Sequence, residues 1–174
     1  MISELLRYQL YGGNQKVSIL QEIDYLKTYI ALRKLRMSER LRLRVEFPPE
    51  LNELNIYPLL FLPLVENAFK YVGGDYQLDI IMKWENNRIS LFIRNSIPEL
   101  SAEDEALRKS VDERQRKGIG LVNLRRRLSL LYPNKHRLET RKEETEFVAE
   151  LMIEIEDILS LIHISEPTRP LYIS

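Results

Sequence analysis

Apolar residues recur at spacings of three and four along two stretches of the chain, which predicts two amphipathic helices. The first spans residues 18–37, and its apolar stripe consists of Ile19, Ile23, Leu26 and Ile30. The second spans residues 119–131, and its stripe consists of Leu121, Leu124, Leu128 and Leu131. Ser18 is a suitable N-cap for the first helix, and Glu22 lies in the first turn, where a carboxylate complements the helix dipole.

Alternating or apolar-rich runs of residues predict the strands. Residues 41–47 alternate until Pro48 and Pro49 end the strand. Residues 78–93 form a hairpin around Asn86-Asn87, and residues 138–155 form another around Glu143-Glu144. Pro63 is typical of a first helical turn, so a third helix begins near it. The polar residues 97–117 predict a lid with one short helix.

The order of these elements is helix, strand, helix, hairpin, lid, helix, hairpin. The sheet of the predicted fold is mixed but mostly antiparallel. We therefore predict an α+β fold in the form of a two-layer sandwich, with the helices on one face of the sheet.

The amino-acid composition argues against several classes of function. The 174 residues include 26 basic and 26 acidic side chains, so no net charge favours nucleic acid or an anionic membrane. The absence of cysteine excludes disulfides and thiolate metal sites, and two histidines are too few for a typical zinc site. No apolar run reaches the roughly 20 residues of a membrane span. We expect a cytoplasmic segment with no direct membrane contact.

The third predicted helix carries the first candidate chemistry. Glu66 and Lys70 share a helix face at a spacing of four, and Asn67 lies beside them. An amide oxygen is a hard ligand that suits Mg²⁺, an ammonium group can contact phosphate, and a carboxylate can accept a proton. The alternative is a solvent-exposed Glu-Lys pair. Residues 62–65, directly before it, are apolar and are expected to be buried, which favours a site over a surface pair.

The second candidate motif is Gly118-Ile119-Gly120 at the start of the helix over residues 119–131. Glycine lets the backbone approach a phosphate, and the N–H groups at a helix start bind anions. The alternative is an ordinary junction between a loop and a helix. Together, the two motifs indicate a Mg-ATP site, which either motif alone would support only weakly.

These motifs resemble the N box and the G box of the ATPase fold shared by histidine kinases, gyrase and MutL, which is a Bergerat-type ATP-binding fold. The finer resemblance is to LytS-type sensor kinases, which carry Leu-Val-Glu-Asn-Ala near one helix start and Gly-Ile-Gly-Leu-x-Asn before another. Residues 64–68 and 118–123 match these patterns. The flanking residues 3–8 and 22–27 are also similar to the family, so the resemblance covers residues 2–156.

By this resemblance, Asn67 binds Mg²⁺, Glu66 is the catalytic helper and Lys70 contacts phosphate. The resemblance also implies an ATP-binding set that consists of Asn67, Lys70, Tyr71, Asn95, Gly118, Ile119, Gly120, Leu121 and Asn123. The chain departs from the family at several positions: the glycines of its Asp-x-Gly-x-Gly box are missing, and Val72 stands where a glycine is common. Asn95 stands where an Asp-x-Gly-x-Gly box has its aspartate, and Tyr71 stands where a histidine is common.

The resemblance implies a kinase that transfers the γ-phosphoryl group of ATP to a histidine. Neither His136 nor His163 lies in a phosphoacceptor context, so that histidine is expected on an upstream segment of the same protein. The implied partners are this segment, a response regulator and a second copy in a homodimer, with no nucleic acid. The parent protein would sit in a bacterial inner or plasma membrane.

The same resemblance divides the chain into three parts. Residues 1–37 lead from the phosphoacceptor and dimerisation region, residues 38–157 form the ATP-binding domain, and residues 158–174 form a non-native tail. The tail assignment rests on residues 159–169, which resemble a translated sequencing adapter. We interpret Arg125, Arg126 and Arg127 as a solvated helix face, with one arginine near phosphate.

Two other functions stay open at this stage. A non-catalytic interaction module of the same fold is suggested by the neutral Asn95 in place of an acid. Another ATPase of the superfamily, such as a gyrase-like protein, is disfavoured by the segments that precede residue 47. Mg²⁺-dependent nucleotide binding would separate the kinase from the interaction module.

Overall fold

The structure, a computed structural model, describes residues 15–51, 54–107 and 119–156. Three long helices lie in these ranges: α1 (Ile19–Arg36), α2 (Leu62–Tyr71) and α3 (Ile119–Leu131). Residues 102–107 form a short helical segment. The strands are β1 (Val17–Ser18), β2 (Arg42–Glu46), β3 (Asn55–Ile56), β4 (Gln77–Glu85), β5 (Arg88–Ser96), β6 (His136–Lys142) and β7 (Glu146–Glu154).

Five strands form the main sheet in the order β2-β4-β5-β7-β6. The β2–β4 pair is parallel and the other three pairs are antiparallel. The β4–β5 turn places Asn86 and Asn87 at φ angles of 51° and 60°, the left-handed conformation that tight hairpins favour. The mixed, mostly antiparallel sheet matches the sequence prediction.

The core lies between one face of this sheet and the helices. Alternate residues of β4 and β5 are buried on that face, and the register pairs Ile80 with Ile93 and Met82 with Leu91. Because side chains alternate across a strand, a single register buries the whole apolar set. The predicted stripe of α1 and Leu124 and Leu128 of α3 join the same buried cluster.

The other face of the sheet is mostly polar. Arg94 donates two hydrogen bonds to Oδ2 of the buried Asp79, at 2.9 and 2.5 Å. Exposed pairs such as Arg44–Glu46 and Arg137–Glu139 line the same face. Exposed pairs of this kind contribute little to stability, so burial on the inner face dominates.

A second, two-stranded sheet was not predicted. β1 and β3 pair antiparallel, with Val17 opposite Ile56, and the Ile19 N–H donates to the Leu54 carbonyl at 2.8 Å. Strands of two residues are too short to show an alternation in the sequence. Their pairing ties the start of α1 to the segment before α2.

Some features of the sequence analysis lie outside the described residues: the family-like residues 3–8, most of the lid and the tail. Among the residues that the structure describes, no helix is long and apolar enough to cross a membrane.

Candidate functional site

The polar face of α2 carries three of the predicted site residues. Glu66 and Lys70 are exposed, and Asn67 is half-buried. Within the described ranges, neither the Glu66 carboxylate nor the Asn67 amide has a hydrogen bond or an ion pair. The Lys70 ammonium lies 5.4 Å from the centroid of the Tyr71 ring. The alternative, a Glu66–Lys70 surface pair, is thus not formed, and these groups are available to a ligand.

The Glu66 carboxylate lies in an environment set by α1. Burial raises its pKa, and the positive charge of Arg33 lowers it in part. Burial also raises the pKa of Tyr29, which Arg33 lowers and Glu66 raises further. Tyr29 packs edge-on against Phe69, with ring centroids 6.3 Å apart, and the Arg33 guanidinium lies 5.8 Å from the same ring. These contacts seat α1 directly against α2.

Asn95 is fully buried at the end of β5, on the sheet face that α2 covers. Its Nδ2 donates to the Ser96 carbonyl at 3.3 Å, while its Oδ1 has no hydrogen-bond partner among the residues that the structure describes. A buried acceptor without a donor costs free energy, and such an atom in a folded protein calls for an explanation. A donor group on a bound ligand would remove the cost.

The turn after α2 packs closely on the segment that follows β5. A Cβ atom on Gly73 would lie 3.0 Å from the Pro98 ring, and one on Gly74, at φ +60°, would lie 2.9 Å from the Ile97 carbonyl oxygen. The Ser96 hydroxyl donates to the Gly73 carbonyl at 2.7 Å. Gly73 and Gly74 therefore permit the close approach of this turn to residues 97 and 98.

The first turn of α3 is open. Gly120 is exposed, and a Cβ atom there would meet nothing within 4 Å. Leu121 is half-buried against the core, and Asn123 is exposed. Gly118 and the Ile119 side chain lie outside the described residues. Because α3 packs on α2, its first turn belongs to the same helix layer as Asn67.

Sequence reasoning missed the contacts of residues 57–60, which we call the approach loop because they lead into α2. Arg127 donates to the Pro58 and Leu59 carbonyls at 3.0 and 3.3 Å, and Glu22 accepts from the Leu59 N–H at 2.8 Å. The interpretation of all three arginines as a solvated face is therefore wrong for Arg127. Helical periodicity places it next to the apolar stripe, but gives no sign of these distant backbone partners.

The binding of Mg²⁺ at this site would depend on the phosphate groups of a bound nucleotide. In the described part of the chain, no group of three His, Cys, Asp or Glu side chains is arranged to hold a metal ion. Mg²⁺ usually keeps several waters and phosphate oxygens and takes only one or two protein ligands. A single amide such as Asn67 therefore fits a Mg-nucleotide better than a resident metal.

The fold is that of histidine kinase catalytic domains, because three solved structures superpose on most of the chain. The mycobacterial sensor histidine kinase MprB matches with a TM-score of 0.52 at 14% identity, covering 83% of this chain and 99% of that chain. A histidine kinase domain from Erythrobacter litoralis gives 0.53 at 13%, covering 84% and 72%. The catalytic domain of histidine kinase ThkA gives 0.51 at 17%, covering 81% and 95%.

Sequence similarity points to the same class of protein. Residues 1–41 match the model of the family described as Histidine kinase. Over 142 residues, or 79% of this chain, the sequence is 28% identical to Sensor protein kinase HptS of Staphylococcus aureus strain USA300, and equally to HptS of strain N315. The chain spans only 27% of the length of these curated relatives.

Proposed function

We propose that this chain is the ATP-binding part of a LytS-type sensor histidine kinase. In this proposal, residues 38–157 form the catalytic domain, and the γ-phosphoryl group of ATP passes to a histidine on an upstream segment of the same protein. A response regulator would receive the group next. The parent would be a homodimer in a bacterial plasma membrane, with this part in the cytoplasm.

The observation that carries the proposal is the buried Oδ1 atom of Asn95, which has no donor. An exocyclic amino group of adenine is a donor of the right kind, and its hydrogen bond would satisfy the buried acceptor. The polar face of α2 and the open first turn of α3 support a position for the phosphates nearby. The similarity to HptS and to catalytic domains supports the kinase class.

Each residue would have a limited task. The N–H groups at the start of α3, near Gly120, would bind phosphate oxygens, and Lys70 would add a positive charge. Asn67 would hold Mg²⁺, whose charge stabilises the transferring phosphoryl group when it is bound. Glu66 would accept the proton of the attacking imidazole, a role that its raised pKa favours over that of a fully solvated carboxylate.

The protein encoded by the complete gene tests this function. Incubated with γ-labelled ATP and Mg²⁺, it should acquire label that is lost in acid and retained in alkali, as expected for phosphohistidine. Asn67→Ala should abolish the labelling while the protein stays folded. A folded protein that binds ATP but acquires no label would contradict the kinase proposal and favour an interaction module.

A further inference from the structure

The approach loop is held from two sides at the backbone of one residue, Leu59. The Leu59 N–H donates to Glu22 of α1, and the Leu59 carbonyl accepts from Arg127 of α3. Glu22 is fully buried, and Arg127 also donates to the Pro58 carbonyl. Charge-assisted hydrogen bonds to backbone are stronger than neutral ones, so this arrangement fixes the peptide firmly.

The held residue is strained. Leu59 has a φ angle of +61°, a left-handed conformation that is uncommon for a residue with a branched apolar side chain. Such a conformation persists only where the surroundings impose it. The two hydrogen bonds, and the burial of Leu60 and Phe61 directly after it, supply this constraint.

The position of α2 depends on this loop. Its N-cap residue, Phe61, makes no side-chain cap hydrogen bond, and Pro63 in the first turn has no N–H to donate. A helix start without a cap is placed by its packing and by the chain that leads into it. Asn67 lies one to two turns further along the same helix, so a shift of the loop shifts Asn67.

We propose that Glu22 and Arg127 are positioning residues of the nucleotide site, which they reach through the Leu59 peptide and the start of α2. This inference rests on the proposed function. It also gives α1 a defined role: because its start is tied to the segment before the loop and its later turns contact Phe69, a displacement of α1 would change nucleotide affinity.

The test measures the affinity of the full 174-residue chain for a non-hydrolysable ATP analogue with Mg²⁺, well below the melting temperature. Arg127→Met should weaken binding about tenfold. Arg126→Met is the matched control, since it removes the same charge from the next position, which is exposed, and it should leave affinity unchanged. Glu22→Gln keeps an acceptor for Leu59 and should retain most of the affinity that Glu22→Ala loses.

A second measurement separates positioning from a general loss of stability. If Arg127 acts through Asn67, then Arg127→Met should add little to the loss caused by Asn67→Ala, whereas independent effects would multiply. Arg127→Lys, which keeps the charge but not the fork of donors, serves if the methionine variant does not fold and should show an intermediate loss.

The outcomes are distinct. If the unaltered chain binds but Arg127→Met binds equally well, or Arg126→Met loses as much, this inference alone is overturned. If losses from Arg127→Met and Asn67→Ala multiply, the positioning role is overturned. If the folded unaltered chain binds no nucleotide, the proposed function fails and this inference fails with it.

Discussion

The approach loop before α2 and the candidate site differ in whether their polar groups have hydrogen-bond partners. In the approach loop, the Tyr57 N–H, the Pro58 carbonyl and both backbone groups of Leu59 have side-chain partners that are distant in the chain. At the site, the Asn95 Oδ1 is buried without a donor, and within the described residues the Asn67 amide makes no hydrogen bond. Since buried polar groups are normally satisfied, the difference supports our proposal that the second set binds a ligand.

Polar groups with partners and polar groups without partners should contribute differently to stability and to ligand binding. Groups that are satisfied within the chain stabilise the fold, so their removal should lower the free energy of unfolding. Groups that lack partners cost stability until a ligand arrives, so their removal should affect binding instead. We therefore predict, for the substitutions below, the direction of change in the free energy of unfolding, in nucleotide affinity or in both.

The largest effect is expected at Tyr132, whose hydroxyl accepts the Tyr57 N–H at 3.1 Å. Tyr132→Phe should lower the free energy of unfolding by about 1–3 kcal/mol, because it leaves a part-buried N–H without an acceptor. Denaturant unfolding measures this change. Tyr29→Phe is the control, because the Tyr29 hydroxyl has no hydrogen bond among the described residues. Equal effects of the two substitutions would contradict the comparison.

Two glycines provide a second contrast. Gly74→Ala should cost about 1–2 kcal/mol, because its φ of +60° is left-handed and its Cβ would press on the Ile97 carbonyl. Gly120→Ala should leave the unliganded protein as stable or more stable, since the position is open and helical. Thermal melting reports both, and nucleotide titration should show weaker binding for Gly120→Ala. Unchanged nucleotide affinity would argue against phosphate at the start of α3.

Substitution of Asn95 should affect nucleotide affinity more than the stability of the unliganded protein. Asn95→Ala should weaken the ATP analogue about tenfold, or 1.4 kcal/mol, by removing the acceptor for the base. It should cost less unliganded stability than Tyr132→Phe, because the loss of the 3.3 Å Nδ2 hydrogen bond to Ser96 is offset by removal of an Oδ1 acceptor that lacks a donor among the described residues. Ser90→Ala, on the other face of the same strand, should leave affinity unchanged. Normal affinity in Asn95→Ala would remove the main support for the proposed function.

The smallest effect concerns the protonation of Glu66. Carbon-detected NMR titration should give a pKa above the ordinary 4.5, because burial disfavours the carboxylate, and Arg33→Gln should raise it further. A raised pKa means that the folded state loses stability as pH rises through the interval between the ordinary and raised values. A pKa at or below 4.5, or a downward shift in Arg33→Gln, would contradict this assignment.

The sequence predicted the regular elements because periodicity reports burial directly. The α1 stripe at Ile19, Ile23, Leu26 and Ile30 is buried as predicted, and α3 spans the predicted residues. The hairpin at Asn86-Asn87 follows from turn chemistry that is local to those two residues. Such features depend on neighbours in the chain, which a sequence displays.

The features that were missed depend on residues far apart in the chain. Glu22 was assigned to the helix dipole, but it is fully buried and accepts from Leu59. Arg127 contacts carbonyls of residues 58 and 59. The close packing of Gly73 and Gly74 on Ile97 and Pro98 is likewise a contact between residues that are distant in the chain. No local pattern encodes these partners, whereas the site residues were proposed from their types alone and stay a prediction.

The most direct test of the central claim is calorimetric titration of the 174-residue chain with a non-hydrolysable ATP analogue, with and without Mg²⁺. We predict saturable binding that Mg²⁺ strengthens, and loss of that strengthening in Asn67→Ala, since Asn67 is the proposed protein ligand. Absence of binding by a folded sample, or Mg²⁺-dependent binding that is unaltered in Asn67→Ala, would contradict the assignment of these open polar groups to a Mg-nucleotide site.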